Sequence, residues 1–172
     1  MQDVRAASGG GVQISRSSAP KRTNPWVFWL VCFLHWHRVM NPKANELAAR
    51  LKRFATRIVR FSRALPKDSS TDAIARQLRK SGTGEAANYH SARRARSRPE
   101  FIAKLGVAAE EADETEHWLA VIDGAAIVST TAGVRELDWL SDESRQLRAI
   151  LVASVRTARA NYSKSKNKSS NP

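Results

Sequence analysis

The stretch LAARLKRFATRIVRFSRAL, residues 47–65, carries the clearest periodicity in this chain of 172 residues. Its large apolar side chains follow one another at alternating intervals of four and three residues, which places them along one side of an α-helix. These positions are Leu47, Leu51, Phe54, Ile58, Phe61 and Leu65. The pattern predicts a helix over residues 43–65, which Pro66 terminates.

A second helix is predicted from Thr71 to Arg96, after the turn that begins at Pro66. Gly82 and Gly84 lie inside it, and each costs about 1 kcal/mol relative to alanine in a helix interior. The two glycines therefore indicate that the helix bends there or that another backbone approaches closely.

Two further helices complete the pattern. Ser97 and Glu100 have the spacing of a capping box, with Pro99 near the helix start, so a third helix is predicted over residues 98–123. A fourth is predicted over residues 134–162, and no segment of useful length alternates as a strand does. Four long amphipathic helices with short connections predict an all-α fold, an antiparallel up-down four-helix bundle.

Both ends of the chain lie outside the bundle, which is predicted over residues 41–162. Residues 163–172 are polar and basic, and we predict a flexible tail there. Residues 1–39 contain a Gly/Ser-rich stretch and then an apolar run that is too short to span a bilayer comfortably. They are interpreted as an upstream reading-frame extension before a true start at Met40, as a membrane-touching anchor or as an unstructured arm. We favour a disordered or wrongly assigned extension and expect no membrane partner.

Charge is distributed unevenly along the sequence. The chain carries 29 Lys and Arg against 16 Asp and Glu, a net charge of +13. Residues 40–100 contribute +10, whereas residues 101–133 contribute −5. A strongly basic protein favours nucleic acid, acidic lipid or an acidic protein as its partner. The single cysteine, Cys32, excludes an intrachain disulfide framework and a thiolate zinc cluster, and it favours a reducing compartment such as the cytoplasm.

The predicted nucleic-acid interface lies on the outer sides of the first two helices and on the turn that follows. Its basic residues do not interrupt the apolar side, and arginine predominates, whose planar guanidinium group suits bidentate phosphate contacts. We expect a row of such residues to follow a phosphate backbone without base specificity and with a steep salt dependence. The alternative is an ordinary solvated surface whose charge is met by the acids of the third helix. The predicted binding residues are Arg53, Arg57, Arg60, Arg63, Arg76, Arg79, Lys80, Arg93, Arg94, Arg96 and Arg98.

The acidic run of the third helix is predicted to act electrostatically rather than to bind a metal. Glu114 and His117 have the Glu-x-x-His spacing of dinuclear metal bundles, but the motif occurs only once. We expect the acids to pair with the arginines of the first two helices, within a subunit or across an interface. The run consists of Glu110, Glu111, Asp113, Glu114 and Glu116.

Two polar residues fall near the apolar side of the second helix. Because a buried polar group is costly without a hydrogen bond, Glu85 and Asn88 are expected to cap a neighbouring backbone or to fix the packing register. His90 is predicted to point outward, while Trp118 and Trp139 are predicted to fill the core or a subunit interface. The sequence contains no Gly-rich phosphate loop, Ser/His/Asp set, HExxH or CxxC motif. No enzyme activity, cofactor or metal is therefore predicted.

Two stretches carry a resemblance to a known family: QLRKSGTGEAANY, residues 77–89, and RARSRPEFIAKLGVAAEEADETEHWL, residues 94–119. Over about residues 41–162, the chain resembles the four-helix bundle protein family, also called the 23S ribosomal RNA intervening-sequence protein family. The resemblance implies an up-down bundle, often a ring-shaped pentamer. It also implies similarity to the accessory protein of diversity-generating retroelements, which binds nucleic acid and a reverse transcriptase. Many members have a glutamate where this chain has Ser91, so its polar network is expected to differ.

The family has no agreed biochemical activity, so function is predicted from the surface. We predict a non-enzymatic, homo-oligomeric bundle that binds RNA or DNA through its arginine-rich surface by phosphate contacts. The alternative is a protein–protein interaction or scaffold module that does not bind nucleic acid. For that module the partner would be an acidic protein or the acidic third helix of another copy, and the resemblance adds a reverse transcriptase as a candidate partner.

Overall fold

The computed structural model of the protein describes residues 42–169. Within that range the chain forms helices and no strands, so the predicted all-α four-helix bundle is confirmed. The interpretations of residues 1–39 lie outside the described residues. The helices are α1 (Pro42–Ala64), α2 (Ser69–Ala92), α3 (Arg98–Gly124) and α4 (Thr131–Ser169).

Contacts between α1 and α4 show that these two helices run antiparallel. Arg50 bonds to Glu143, and Arg57, seven residues later on α1, bonds to Glu136, seven residues earlier on α4. These two helices are also the least closely packed neighbours in the bundle, whereas α2 and α3 form the most extensive helix–helix contact. The α1–α4 side therefore depends more on ion pairs than the other sides do.

The core consists of the apolar positions that the periodicity predicts. Of the six positions between residues 47 and 65, five are buried, and Leu47 is partly buried and packs against the same cluster. Ala108 and Ala112 form the buried side of α3 at its middle, where small side chains allow neighbouring helices to approach. The core continues on α4 with Leu137, Leu140, Leu147, Leu151 and Val155.

α2 begins two residues before its predicted start because Asp68 caps it. The carboxylate of Asp68 accepts hydrogen bonds from the backbone N–H groups of Ser70, at 3.1 Å, and Thr71, at 2.9 Å. Such a cap satisfies donors that have no partner inside the helix. α2 ends at Ala92, four residues before its predicted end, because the chain then turns toward the extended N-cap residue of α3.

The capping box at the start of α3 is confirmed in part. The Ser97 hydroxyl accepts a hydrogen bond from the Glu100 N–H at 3.2 Å. The Glu100 carboxylate accepts one from the N–H of Arg96 at 2.8 Å, rather than from the N–H of the cap residue itself. Both bonds keep α3 anchored to the turn after α2.

α4 is longer at both ends than the sequence predicts. It begins at Thr131, where the Thr130 hydroxyl accepts a hydrogen bond from the Gly133 N–H at 3.1 Å. It continues to Ser169, seven residues beyond its predicted end and through part of the segment predicted as a flexible tail. Once a helix has formed, each added residue gains a hydrogen bond without a new nucleation cost, and the sequence between Gly133 and Pro172 contains no glycine or proline to stop it.

The two glycines of α2 each face a side chain of a neighbouring helix. A Cβ atom on Gly82 would lie 2.9 Å from Cγ2 of Ile58, and one on Gly84 would lie 2.8 Å from Cδ of Glu111. The first glycine lets α1 approach α2, and the second leaves room for a carboxyl group of α3. At Gly82 the neighbouring helix comes close, since even the Ile58 Cβ would lie 3.3 Å from such an atom, whereas at Gly84 the three nearest atoms belong to the Glu111 carboxyl group.

We expect Gly82→Ala to lower the free energy of unfolding by about 1 kcal/mol, measured by urea denaturation. The gain in helix propensity, about 1 kcal/mol, is outweighed by overpacking against Ile58, which costs about 1–3 kcal/mol. Gly106 provides the matched control because a Cβ atom there would meet no atom of a neighbouring helix within 4 Å. Gly106→Ala should therefore stabilise the protein by about 0.5–1 kcal/mol. If both variants were stabilised equally, the tight α1–α2 contact would be refuted.

Candidate nucleic-acid interface

Beyond Lys43 in its first turn, the basic residues of α1 divide into two groups. Arg50 and Arg57 turn toward α4 and form ion pairs there. Four others lie on the outer side of the helix and are exposed: Lys52, Arg53, Arg60 and Arg63. Among the side chains of residues 42–167, no carboxylate lies within 4 Å of these four. The outward group is therefore available for an external anion.

The inward pair is fully engaged inside the bundle. Arg50 donates to both carboxylate oxygens of Glu143, at 2.6 and 2.7 Å, and also to Gln146. Arg57 donates to both oxygens of Glu136, at 2.8 and 2.5 Å, and its guanidinium carbon lies 3.4 Å from the ring centroid of Trp139. The hydrogen bonds to these glutamates raise the pKa of both arginines. Arg57, predicted to bind nucleic acid, is thus paired with an acid of the same chain.

The predicted binding residues of α2 also differ in how far they are exposed. Arg76 and Lys80 are exposed, as is Arg94 in the turn that follows. Arg79 is half-buried, and its guanidinium group lies 3.4 Å from the Ser62 hydroxyl of α1, as a donor to it. Arg79 therefore stabilises the contact between α1 and α2 while leaving only part of its side chain open to solvent.

The turn between α2 and α3 holds the remaining predicted residues. Arg93 is half-buried and donates to Asn45 of α1. Arg96 is highly exposed and lies 3.7 Å from the Glu100 carboxylate. Arg98 is exposed at the start of α3. Of these three, Arg98 is the one that forms no ion pair or side-chain hydrogen bond with the described residues.

We define the basic face as the exposed lysines and arginines between residues 47 and 95 that lie on α1, on α2 or in the turn after α2 and have no carboxylate within 4 Å. Between residues 73 and 99 the sequence has one acid, Glu85, which is fully buried, and between residues 47 and 67 it has none. No exposed carboxylate from these segments therefore offsets the face. Its members are Lys52, Arg53, Arg60, Arg63, Arg76, Lys80 and Arg94.

Among the described residues, the acids of α3 do not pair with the arginines of α1 and α2, so the within-subunit alternative of that prediction is wrong, and pairing across an interface stays a prediction. Glu116 and Asp113 instead pair with Arg148 of α4, at 2.5 and 3.3 Å. The acids that engage α1 belong to α4. Their spacing was a usable signal, because Glu136 and Glu143 are seven residues apart, as are the two arginines they bind.

A group of carboxyl side chains lies inside the bundle behind the Arg50 pair. Glu85 of α2 is fully buried, and neither of its carboxyl oxygens has a hydrogen-bond partner among the described residues. Burial and the nearby charges of Glu111 and Glu143 raise its pKa to about 8. Burial also raises the pKa of Glu111. The prediction that Glu85 lies on the apolar side is confirmed, but it caps no backbone.

The other polar and aromatic candidates have structural positions. Asn88 donates to the Gly84 carbonyl of its own helix at 2.9 Å, so it does not cap a neighbouring backbone. His90 is exposed, as predicted. Trp118 packs against the core, whereas Trp139 is 38% exposed. None of them belongs to a set of groups that resembles a catalytic centre.

The described residues contain neither a metal site nor a membrane-spanning helix. No group of three or more His, Cys, Asp or Glu side chains between residues 42 and 167 has a geometry that could hold a metal ion. No helix of the described range is both long and apolar enough to cross a bilayer. The cluster of carboxyl side chains formed by Glu85, Glu111 and Glu143 therefore does not have the geometry of a metal site.

Comparison with known proteins identifies the family. The family model described as 23S rRNA-intervening sequence protein matches residues 43–153. A crystal structure of a protein of unknown function from the S23 ribosomal protein family of Bacteroides thetaiotaomicron superposes with a TM-score of 0.59. It is 28% identical in sequence, and the match covers 66% of this chain and 98% of that one. The comparison with curated proteins finds no match. Since the family model covers most of the chain and the fold agrees, this protein belongs to the 23S rRNA-intervening sequence protein family.

Proposed function

We propose that this protein is a non-enzymatic, homo-oligomeric bundle that binds RNA or DNA through phosphate contacts made by the basic face. The observation that carries the proposal is the separation of the arginines of α1 into an inward pair, neutralised by α4, and an outward group without carboxylate partners. Cations that served only to balance acids of the bundle would lie next to those acids, and the outward residues of α1 do not. Exposed arginines suit phosphate oxygens because each can donate two parallel hydrogen bonds.

The shape of the basic face supports a backbone-directed contact. Arg76 lies sixteen residues before Ala92, where α2 ends, and Arg94 lies in the turn beyond it, so the face extends over about 24 Å of helix. Between the outer sides of α1 and α2 runs a shallow groove lined by small side chains, with Lys52 and His90 among its lining residues. Such a surface offers cations along a line and few groups that would read base edges, so we expect little sequence preference.

The test is a fluorescence polarisation titration of a structured RNA and a DNA duplex over a range of salt concentrations. Removing two phosphate contacts with Arg63→Ala and Arg76→Ala should lower the slope of log affinity against log salt by about 2 per protomer. The charge-matched control is Arg156→Ala with Arg159→Ala, because both arginines are exposed on α4. Binding by wild type that is indifferent to salt, or equal losses in the two double variants, would refute the proposal.

Self-association is part of the proposal because it would multiply a weak affinity per subunit. Several large apolar side chains of α4 are exposed and provide candidate contact surfaces. They include Trp139, Ile150 and Val152, which are 38%, 37% and 49% exposed. Size-exclusion chromatography with light scattering measures the assembly directly, and a monomer at all concentrations would remove this part of the proposal.

The same exposed side chains favour the second candidate, a protein-interaction or scaffold module. Exposed apolar groups of this kind mark protein interfaces more often than nucleic-acid contacts. Tight assembly without measurable RNA or DNA affinity at low salt would support the scaffold and contradict the leading proposal.

A further inference from the structure

A groove of about 750 Å³ lies at the end of the bundle where α1 ends and α4 begins. Its walls are the last turn of α1, the connector between α3 and α4, and the first turn of α4. Sites for small ligands in proteins have volumes of about 300–1,000 Å³, are mostly apolar and contain a few polar groups. The groove therefore has the dimensions of a ligand site, and neither the basic face nor the family assignment accounts for it.

The floor of the groove is apolar and is held in place by the connector. Phe61 and Leu65 form its buried part, and the half-buried Val128 covers it from the connector. The connector bends sharply at Ala126, whose φ of 50° is in the left-handed region. It then packs so closely on α4 that a Cβ atom at Gly133 would overlap the Val128 side chain. The groove is thus part of the packed structure.

The polar groups around the groove give it a positive balance. Arg57 and Glu136 both line it, but they neutralise each other as a bidentate pair. Arg60 lines it as well, is exposed, and has no carboxylate within 4 Å among residues 42–167. The first turn of α4 contains no acid, so the positive end of that helix is not offset locally. A ligand that matches this charge would carry one anionic group and place it beside Arg60.

We infer that this groove binds an amphipathic anion, a molecule with an aliphatic or aromatic body and a single carboxylate. The body would lie on Phe61 and Val128, and the carboxylate would bond to the Arg60 guanidinium. This inference goes beyond the proposed function, because it requires no nucleic acid and no second subunit.

The test is isothermal titration of the full chain with decanoate, decanol and decyltrimethylammonium, each below its micelle concentration. The three probes share one alkyl chain and differ in head-group charge. Decanoate should bind with one molecule per chain and about fivefold more tightly than decanol, because an exposed ion pair contributes up to about 1 kcal/mol. The cationic probe should bind more weakly than decanol. Equal affinity for the anionic and cationic probes would overturn the inference.

Two pairs of variants locate the binding. Ala64→Phe fills the groove from its exposed wall and should weaken decanoate binding at least about tenfold, a loss of about 1.4 kcal/mol. Ala153→Phe is the control, since Ala153 is equally exposed but does not line the groove. Arg60→Ala should remove the preference for decanoate over decanol, whereas Arg63→Ala should retain it. Equal effects within either pair, or a dissociation constant that rises with protein concentration because a second copy occupies the groove, would contradict the inference.

Discussion

Glu85→Gln should raise the free energy of unfolding by about 4 kcal/mol more at pH 9 than at pH 5, since each pKa unit corresponds to about 1.4 kcal/mol. Burial raises the pKa of the Glu85 carboxyl group from 4.5 to about 8 in the folded protein, with the charges of Glu111 and Glu143 adding to the effect. Glutamine has the shape of the neutral acid and carries no charge at any pH. The variant therefore removes a cost that grows in the wild type as the pH rises from about 4.5 to about 8.

The direction of this pH dependence follows from the number of protons that the folded and unfolded states bind. Between pH 4.5 and about 8 the folded protein holds the Glu85 proton and the unfolded chain has lost it, so stability falls as the pH rises through this interval. Below it both states are protonated, and above it both are ionised, with the folded state carrying a buried charge. The surrounding charges are Glu111, which interacts with Lys80, and Glu143, which is paired with Arg50. Despite these interactions, both glutamates raise the pKa of Glu85.

Guanidinium denaturation of wild type and variant across this pH range provides the measurement. Asp138→Asn is the control, because it removes an exposed carboxylate on α4 that is not among the charges acting on Glu85 or Glu111, and it should retain the wild-type fall in stability. A constant stability difference between wild type and Glu85→Gln from pH 5 to pH 9 would show that the buried group does not titrate in this interval.

Arg50→Ala is expected to destabilise the protein by about 3 kcal/mol at pH 7, because it leaves a partly buried carboxylate without its partner. The Glu143 side chain is 13% exposed and accepts both of its short hydrogen bonds from Arg50. Its unpaired charge would also act on the Glu85 carboxyl group behind it. The lost stability therefore comes from the unpaired Glu143 carboxylate and not from the missing Arg50 side chain itself.

The comparison that isolates this effect is Arg53→Ala on the same helix. Arg53 is exposed, and its removal should change stability by less than about 0.5 kcal/mol. The double variant Arg50→Met with Glu143→Leu should recover most of the stability lost in Arg50→Ala, because no buried charge then remains. If the single and double variants were equally unstable in urea, the explanation by the unpaired Glu143 carboxylate would fail.

Local rules of sequence predict the fold of this protein well. The 4-3 spacing on α1 identifies the residues that fill the core, and Ser97 and Pro99 place the start of α3 at Arg98. The end of α4 is not predictable in the same way, because its polar composition is also typical of disorder. A polar helix such as residues 163–169 continues by propagation from the packed helix before it, and composition does not report this.

Charge pairing is harder to predict than helix position. A helical wheel of α1 places Arg57 on the outer arc, yet it bonds to Glu136 because a long side chain reaches sideways to the next helix. The acids of α3 form the densest acidic run, but Asp113 and Glu116 face Arg148, since neighbouring helices and not sequence density decide which charges meet. The groove beside Arg60 depends on a connector conformation with positive φ at Ala126, which alanine rarely adopts.

The opposed orientation of the arginines on α1 affects how genetic data on this family should be interpreted. An alanine scan scored only by phenotype would group Arg50 and Arg57 with Arg60 and Arg63, because all four lie on one helix and carry one charge. The first two would fail by lowering the amount of intact protein in the cell, and the others by weakening contact with a ligand. Steady-state abundance must therefore be quantified beside each phenotype before a lost arginine is counted as a lost binding residue.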